Sequence, residues 1–187
     1  MHPHIRIATP EDAAVINDVF AYYIANSVAT FNEYNKTLEQ RRQEMELLLR
    51  DYPFLIAEDE DGRFLGFANA EPVRPQSGYR FCVELTIYLH PDTPHRSGVG
   101  KLLYSHLLEM LAQQGYRTAF AVICGTNEES LSLHRSFGFG EVARFCNSGY
   151  KHGRWLDTVW MQKVLNPFDE TPQEPVPFCE YRKQMML

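Results

Sequence analysis

Residues 95–101, His95-Arg96-Ser97-Gly98-Val99-Gly100-Lys101, hold the densest chemistry in this 187-residue chain. They follow Glu84-Leu85-Thr86-Ile87-Tyr88-Leu89, an alternating run rich in β-branched and aromatic residues that predicts a strand. His90-Pro91-Asp92-Thr93-Pro94 ends that strand with two prolines. After Gly100 the apolar residues Leu103, Leu107, Leu108 and Leu111 return at helical spacing, so the glycines lie where a loop becomes a helix. The unpaired N–H groups of a first helical turn and the positive end of its dipole suit a phosphate or diphosphate. Arg96 and Lys101 add positive charge there, and side chains at positions 98 and 100 would crowd the approach. Strand, glycine turn and helix start together predict a nucleotide-cofactor site. Two common glycine fingerprints do not fit it. Gly98-Val99-Gly100-Lys101-Leu102-Leu103 lacks the third glycine of a dinucleotide site, and Gly100-Lys101 precedes leucine rather than the Ser or Thr of a phosphate loop.

The elements that must position this loop follow from pattern. Residues 5–8 predict a short strand, and Thr9 with Pro10, Glu11 and Asp12 opens a helix carrying Ile16, Val19, Phe20 and Tyr23. Thr37 and Gln40 form a capping box for a second helix reaching about Arg50. Residues 54–57 and 64–68 predict an antiparallel hairpin around Asp59-Glu60-Asp61-Gly62. A loop over 71–78 leads into a central strand over 79–89, long enough to contain a bulge, and the helix after Gly98 ends near Gly115. The apolar run 118–123 reads as a strand buried on both faces and therefore parallel to a neighbour. Asn127 caps a short helix closed by Gly138, and residues 139–145 and 155–164 predict a final strand pair. A Pro-rich, acidic segment follows, so the expected organisation is one domain over 4–165 and an extension over 166–187 that forms an arm whose end docks on the domain or a partner. The order is that of an α/β (α+β) protein with a mixed sheet and helices on both faces.

Composition narrows the class. Eighteen Lys and Arg against 24 Asp and Glu give a net charge of −6 with scattered basic residues, which argues against a nucleic-acid partner. The apolar run over 119–124 is too short to cross a bilayer, and the amino terminus has no apolar signal core. Cys82, Cys124, Cys146 and Cys179 form no Cys-x-x-Cys pair, and the three in predicted strands read as buried free thiols, in keeping with a cytoplasmic location. The seven histidines show no paired ligand spacing, so no metal is expected.

The glycine loop resembles the acyl-CoA signature of the GNAT N-acetyltransferase superfamily, with His95 where Gln or Arg is usual. Three further segments narrow the resemblance: Val83-Glu84-Leu85-Thr86-Ile87-Tyr88-Leu89-His90-Pro91, Asn127-Glu128-Glu129-Ser130-Leu131-Ser132-Leu133-His134 and Lys151-His152-Gly153-Arg154-Trp155-Leu156-Asp157. In order and spacing they are similar to the phosphinothricin N-acetyltransferases and their relatives that acetylate methionine sulfoximine and methionine sulfone, over residues 5–164. The resemblance implies a GNAT fold with six to seven strands, a splayed central strand pair, acetyl-CoA as co-substrate and a homodimer. It implies Glu84 as the residue that deprotonates the acceptor amine, since an ammonium has no lone pair with which to attack a thioester. His134 takes the position of the family's candidate catalytic histidine, with Tyr104 and Tyr150 as alternative proton donors. Backbone N–H groups at Ile87, Tyr88 and Leu89 would meet the oxyanion and pantetheine, with residues 95–101, Asn127 and Ser136 completing the cofactor contacts. Arg74 would meet an acceptor carboxylate. Phe31, Tyr79, Arg80, Thr86 and Trp155 would line the acceptor pocket; Gln76 stands where relatives often carry a second Arg.

Each of these residues also has an ordinary structural use. Glu84 suits an ion pair with Arg74 or Arg80, His134 a satisfied place on a helix face beside Leu131 and Phe137, and Asn127 a plain helix cap. The leading expectation is direct acetyl transfer to a small amino acid or amino-acid-like toxin. The alternatives are acetylation of a protein N-terminus, polyamine or aminoglycoside, or CoA binding without catalysis.

Overall fold

The computed structural model describes residues 2–185. Seven strands form one sheet in the order β1-β2-β3-β4-β5-β7-β6. They are β1 (His4–Ile7), β2 (Phe54–Glu58), β3 (Phe64–Pro72), β4 (Cys82–Leu89), β5 (Thr118–Cys124), β6 (Gly140–Lys151) and β7 (Arg154–Val164). Among the described residues five α-helices accompany them: α1 (Ala13–Asn26), α2 (Leu38–Asp51), α3 (Val99–Gln114), α4 (Glu128–Ser136) and α5 (Phe178–Met185). The strand alternation of β2 shows how the two faces are covered. Phe54 and Ile56 join Ile16 and Val19 of α1 and Met45 of α2, while Leu55 and Ala57 join Leu103, Leu107 and Leu111 of α3 on the other side. The sheet is mixed, with helices on both faces, as expected.

Local signals account for most element ends. Thr37 Oγ1 accepts from the Gln40 N–H at 3.2 Å and the Gln40 side chain accepts from the Thr37 N–H at 2.9 Å, the reciprocal box that starts α2. Gly115 closes α3 in the left-handed region, at φ +96°. At the other end, Thr9-Pro10 opens a short 3-10 turn over Pro10–Asp12 before α1 begins. The β6–β7 turn places His152 at φ +50° and Gly153 at φ +76°, the geometry of a tight two-residue hairpin.

Several expectations are corrected. The central strand begins at Cys82, because Ser77–Tyr79 winds into a 3-10 turn in which the Arg80 N–H bonds to the Ser77 carbonyl. Its register with β3 runs unbroken from Pro72↔Val83 to Gly66↔Leu89, so it holds no bulge. The irregularities fall between β2 and β3 and in β6, where Cys146, Asn147 and Ser148 bulge out of the ladder rather than ending the strand. The Asn147 N–H bonds to Asp157 and the Ser148 hydroxyl to Thr158, which carries β6 on to Lys151. Strand β5 is parallel to β4 as expected, but Val122 is exposed. Of the three strand thiols only Cys124 is buried; Cys82 is partly exposed and Cys146 exposed.

The segment after β7 folds back along the domain. Asp169 pairs with Arg117 at 2.8 Å, Glu174 with Arg80 at 2.6 Å, and Val176 exchanges hydrogen bonds with Gln114. Phe178 of α5 is fully buried and α5 packs on α2.

At Gly66 an added Cβ would lie 2.7 Å from the Tyr88 carbonyl oxygen and 2.9 Å from Leu89 Cα. Backbone cannot retreat there without opening the β3–β4 ladder. Gly66→Ala is therefore expected to destabilise the fold by about 2 kcal/mol, seen as a thermal midpoint lower by roughly 4–8 °C in a chain of this size.

Candidate active site

The parallel ladder between β4 and β5 is short. Only Cys82↔Thr118, Val83↔Ala119 and Glu84↔Phe120 are paired, although both strands run on. Strand β5 turns with β7, its partner through Cys124↔Thr158, while β4 stays with β3 to Leu89. The strands therefore part beyond Glu84, and alternate backbone groups of residues 85–89 face a gap instead of a neighbour. A cleft of about 1660 Å³ opens from this fork. It reaches α3 and α4 at one end and the α1–α2 connection at the other.

At the α3 end Gly98 caps the helix with φ +85°, a left-handed conformation that suits glycine. The Leu102 N–H makes the first intrahelical bond, to the Gly98 carbonyl, so the amides of residues 99–101 are left for other partners. The chain itself does not crowd either glycine. A Cβ at Gly98 meets nothing within 4 Å and one at Gly100 meets Ile87, Leu89 and Leu133 only at ordinary contact distance. Arg96 is held at φ +59°, and the buried Ser97 hydroxyl has no hydrogen-bond partner among the described residues. An unpartnered donor beside three free amides and Lys101 fits a phosphate-bearing ligand. The Val99 side chain lies wholly in the core, leaving its backbone as its share of the site. His95 is exposed and lies 3.6 Å from Glu129.

Along the cleft wall, Asn127 Oδ1 accepts from the Ser130 N–H and caps α4, and the Ser136 hydroxyl donates to the Leu133 carbonyl. His134 is almost wholly buried although it borders the cleft. Its Nδ1–H donates to the Ser130 carbonyl at 2.7 Å, leaving Nε2 to accept from the Tyr104 hydroxyl at 2.6 Å. Burial lowers its pKa and the Ser130 carbonyl opposes that, so the ring is held neutral in one tautomer. Burial also raises the pKa of the Tyr104 hydroxyl far above the ordinary phenol range. Tyr150 is instead exposed and packs on Trp155.

Glu84 is the last β4 residue paired with β5, so its carboxyl stands at the base of the fork. Burial raises its pKa, and Arg74 partly offsets this. Neither ion pair considered for it forms among the described residues: Arg80 is taken by Glu174, and Arg74 donates to the Val73 carbonyl and lies 5.2 Å over the Trp160 ring. Thr86, Ile87, Tyr88 and Leu89 line the cleft with Glu84, as does Phe31. Tyr79 and Trp155 are exposed and, like Arg74, stand outside this lining.

Sequence reasoning passed over Glu71. It is the register partner of Glu84 across β3 and β4 and shares the cleft with it. Burial, then the charge of Glu84, pushes its pKa up to about 7. The available signal was a glutamate next to last in a strand that is otherwise apolar apart from Asn69.

A family model described as an acetyltransferase (GNAT) domain matches residues 5–160, and the chain belongs to that family. It is 35% identical to a phosphinothricin N-acetyltransferase of Streptomyces viridochromogenes, covering 92% of this chain and 93% of that protein. It is 34% identical to an L-methionine sulfoximine/L-methionine sulfone acetyltransferase of Pseudomonas aeruginosa, covering 92% and 100%. The crystal structure of a GNAT superfamily phosphinothricin acetyltransferase from Sinorhizobium meliloti in complex with AcCoA superposes with a TM-score of 0.88, at 36% identity over 97% of this chain and 100% of that one.

Two predictions follow from the packing and charge of the cleft. A Cβ at Gly149 would come within 2.9–3.0 Å of three atoms of the Phe31 ring. Gly149→Ala should push Phe31 off its seat and raise the KM for the acceptor several-fold more than that for the cofactor in steady-state kinetics. The second concerns Glu71, whose native pKa lies above its unfolded value near 4.5. The native state then holds the extra proton, so this group's contribution to stability falls as pH rises from about 4.5 to about 7. Urea titrations of wild type and Glu71→Gln should show a stability difference that widens in favour of the variant across that interval.

Proposed function

We propose that this protein transfers an acetyl group directly from acetyl-CoA to the amino group of a small amino acid or amino-acid-like toxin, of the methionine sulfone, methionine sulfoximine or phosphinothricin type. The observation that carries the reading is the position of Glu84, a half-buried carboxylate without a hydrogen-bonding partner among the described residues, at the point where β4 and β5 part.

Acetyl-CoA supplies an acyl carbonyl already activated as a thioester. The amides of residues 99–101, the Ser97 hydroxyl, Arg96 and Lys101 would hold its diphosphate, with His95 at the rim. The exposed edge of residues 85–89, including Ile87, Tyr88 and Leu89, would pair with the pantetheine amides as a missing strand does, helped by Asn127 and Ser136. Glu84 removes a proton from the acceptor ammonium, directly or through water; its raised pKa makes it a better base than an exposed glutamate. N–H groups on the freed edge of β4 face the developing oxyanion. His134, which borders the cleft on α4 and accepts from the Tyr104 hydroxyl, would help protonate the departing thiolate, with Tyr104 as the alternative donor. Phe31 and Thr86 shape the acceptor pocket from within the chain, and Arg74 lies near enough to Glu84 to attract an acceptor carboxylate.

The same reading places the protein in the cytoplasm as a homodimer. Val142, Phe145, Tyr150 and Trp155 leave large apolar surface exposed along β6 and β7, which supports a second copy docking there and bringing Tyr79 and Trp155 to the acceptor pocket.

A thiol-release assay with acetyl-CoA tests the activity. Thiol should appear with methionine sulfone and not with spermidine; the reverse would move the acceptor to polyamines, and no release with any amine would leave a CoA-binding protein without catalysis. Glu84→Gln should lower turnover by about a hundredfold with little change in CoA affinity. Full activity in that variant at neutral pH would remove Glu84 from the role of base.

A further inference from the structure

We propose that Glu71 is a second carboxylate of the acceptor site, acting with Glu84 to seize the incoming ammonium and fix the direction of its lone pair. The proposal rests on the acetyltransferase reading and adds to it a residue for acceptor recognition.

Glu71 and Glu84 are Cα partners in the antiparallel β3–β4 ladder, so their side chains leave the same face of the sheet side by side. Both line the cleft, and neither carboxylate has a hydrogen bond or ion pair among the described residues. The cations close by are engaged elsewhere. Glu44 of α2 binds both Lys36 and Arg41, and the Arg41 guanidinium also lies 4.0 Å over the Phe20 ring. Arg74, beyond the end of β3, sits on Trp160. The remaining titratable neighbour is Tyr88 of β4, whose hydroxyl donates to the Ala29 carbonyl and whose pKa is pushed up to about 12. Two adjacent, half-buried carboxylates are thus left without a bonded cation at the base of the fork. A chain gains nothing in stability from that arrangement, whereas an ammonium entering the cleft would neutralise it.

An ammonium has three N–H bonds. One is directed to Glu84, where the N–H bond breaks, an O–H bond forms on the carboxylate and the electron pair stays on nitrogen. A second N–H remains bonded to Glu71, so the nitrogen is held while its lone pair turns to the acyl carbonyl. Glu71 touches the substrate but takes no proton in this step. The pair also selects for acceptors that arrive charged over neutral amines and alcohols.

The test uses the full-length chain, acetyl-CoA and whichever amine of the panel releases thiol fastest. Glu71→Gln should raise the acceptor KM about tenfold, the effect of losing one half-buried charge contact, while the KM for acetyl-CoA stays as in wild type. Glu71→Asp, which keeps the charge, should recover part of the loss. The acid limb of kcat/KM for the acceptor should move to lower pH in Glu71→Gln, because only Glu84 is left to ionise; a purely structural role would not move it. An unchanged acceptor KM with an unmoved limb overturns the proposal while leaving the acetyltransferase reading intact, and so does an equal rise in both KM values. A wild-type chain that releases no thiol with any amine overturns both.

Discussion

The site depends on a ladder that stops early. Two parallel strands that stayed together would satisfy each other's backbone along their whole length and leave no cleft. Here three residue pairs hold β4 to β5, and then each strand follows its antiparallel neighbour on the far side. Antiparallel ladders of seven residues on either side outweigh the few parallel bonds that continued pairing would add, so the fork is a product of the whole sheet rather than of a local defect. A row of backbone donors and acceptors is left along the inner edge of β4, and Glu84 stands at the vertex. Edge strands ordinarily invite unwanted pairing; this one is sheltered inside the fold, where a small ligand can reach it.

Around that fork, polar groups are placed by apolar ones. Phe31 seats on Gly149 across the cleft from β4, and the buried Lys151 ammonium donates to the Thr30 carbonyl at 2.7 Å, tying the β6–β7 hairpin to the loop after α1. His134 is set by aromatic neighbours, edge-on to Tyr104 and Phe139, and by two hydrogen bonds that leave it one tautomer. The Phe31 end of the cleft and the wall of α4 are therefore built on packed elements, whereas the rim at His95 and Arg96 is exposed.

How much of this could be read from the chain alone depended on how local the cause was. The capping box of α2, the glycine that closes α3, the Asn127 cap and the loop-to-helix junction at residues 95–101 are written within four or five residues, and they were legible. So was the place of Glu84 on the central strand just before the glycine loop. The start of β4 was not, because Tyr79, Arg80 and Phe81 alternate like a strand while the backbone at Ser77–Tyr79 coils. Nor was the continuation of β6, since Asn147, Ser148 and Gly149 have the composition of a turn and are kept in the strand by Asp157 and Thr158 on its partner. Glu71 escaped for the same reason: thirteen positions separate it from Glu84, and only strand register brings them abreast. Tyr79 and Trp155 were expected in the pocket and lie on the surface of the single chain.

The closed end of the fork is buttressed by residues that lie outside the stretch matched to the family. The Phe81 carbonyl receives N–H groups from Arg117 and Thr118 just where β4 and β5 begin their brief pairing. The side chains flanking that junction, Arg80 and Arg117, are gripped by Glu174 and Asp169 of the carboxyl-terminal segment. That segment lies at the paired end of the two strands, away from the fork. The residues making these contacts all stand outside the cleft lining, so the carboxyl-terminal segment can vary around the paired end of β4 and β5 without changing a side chain that faces the cleft.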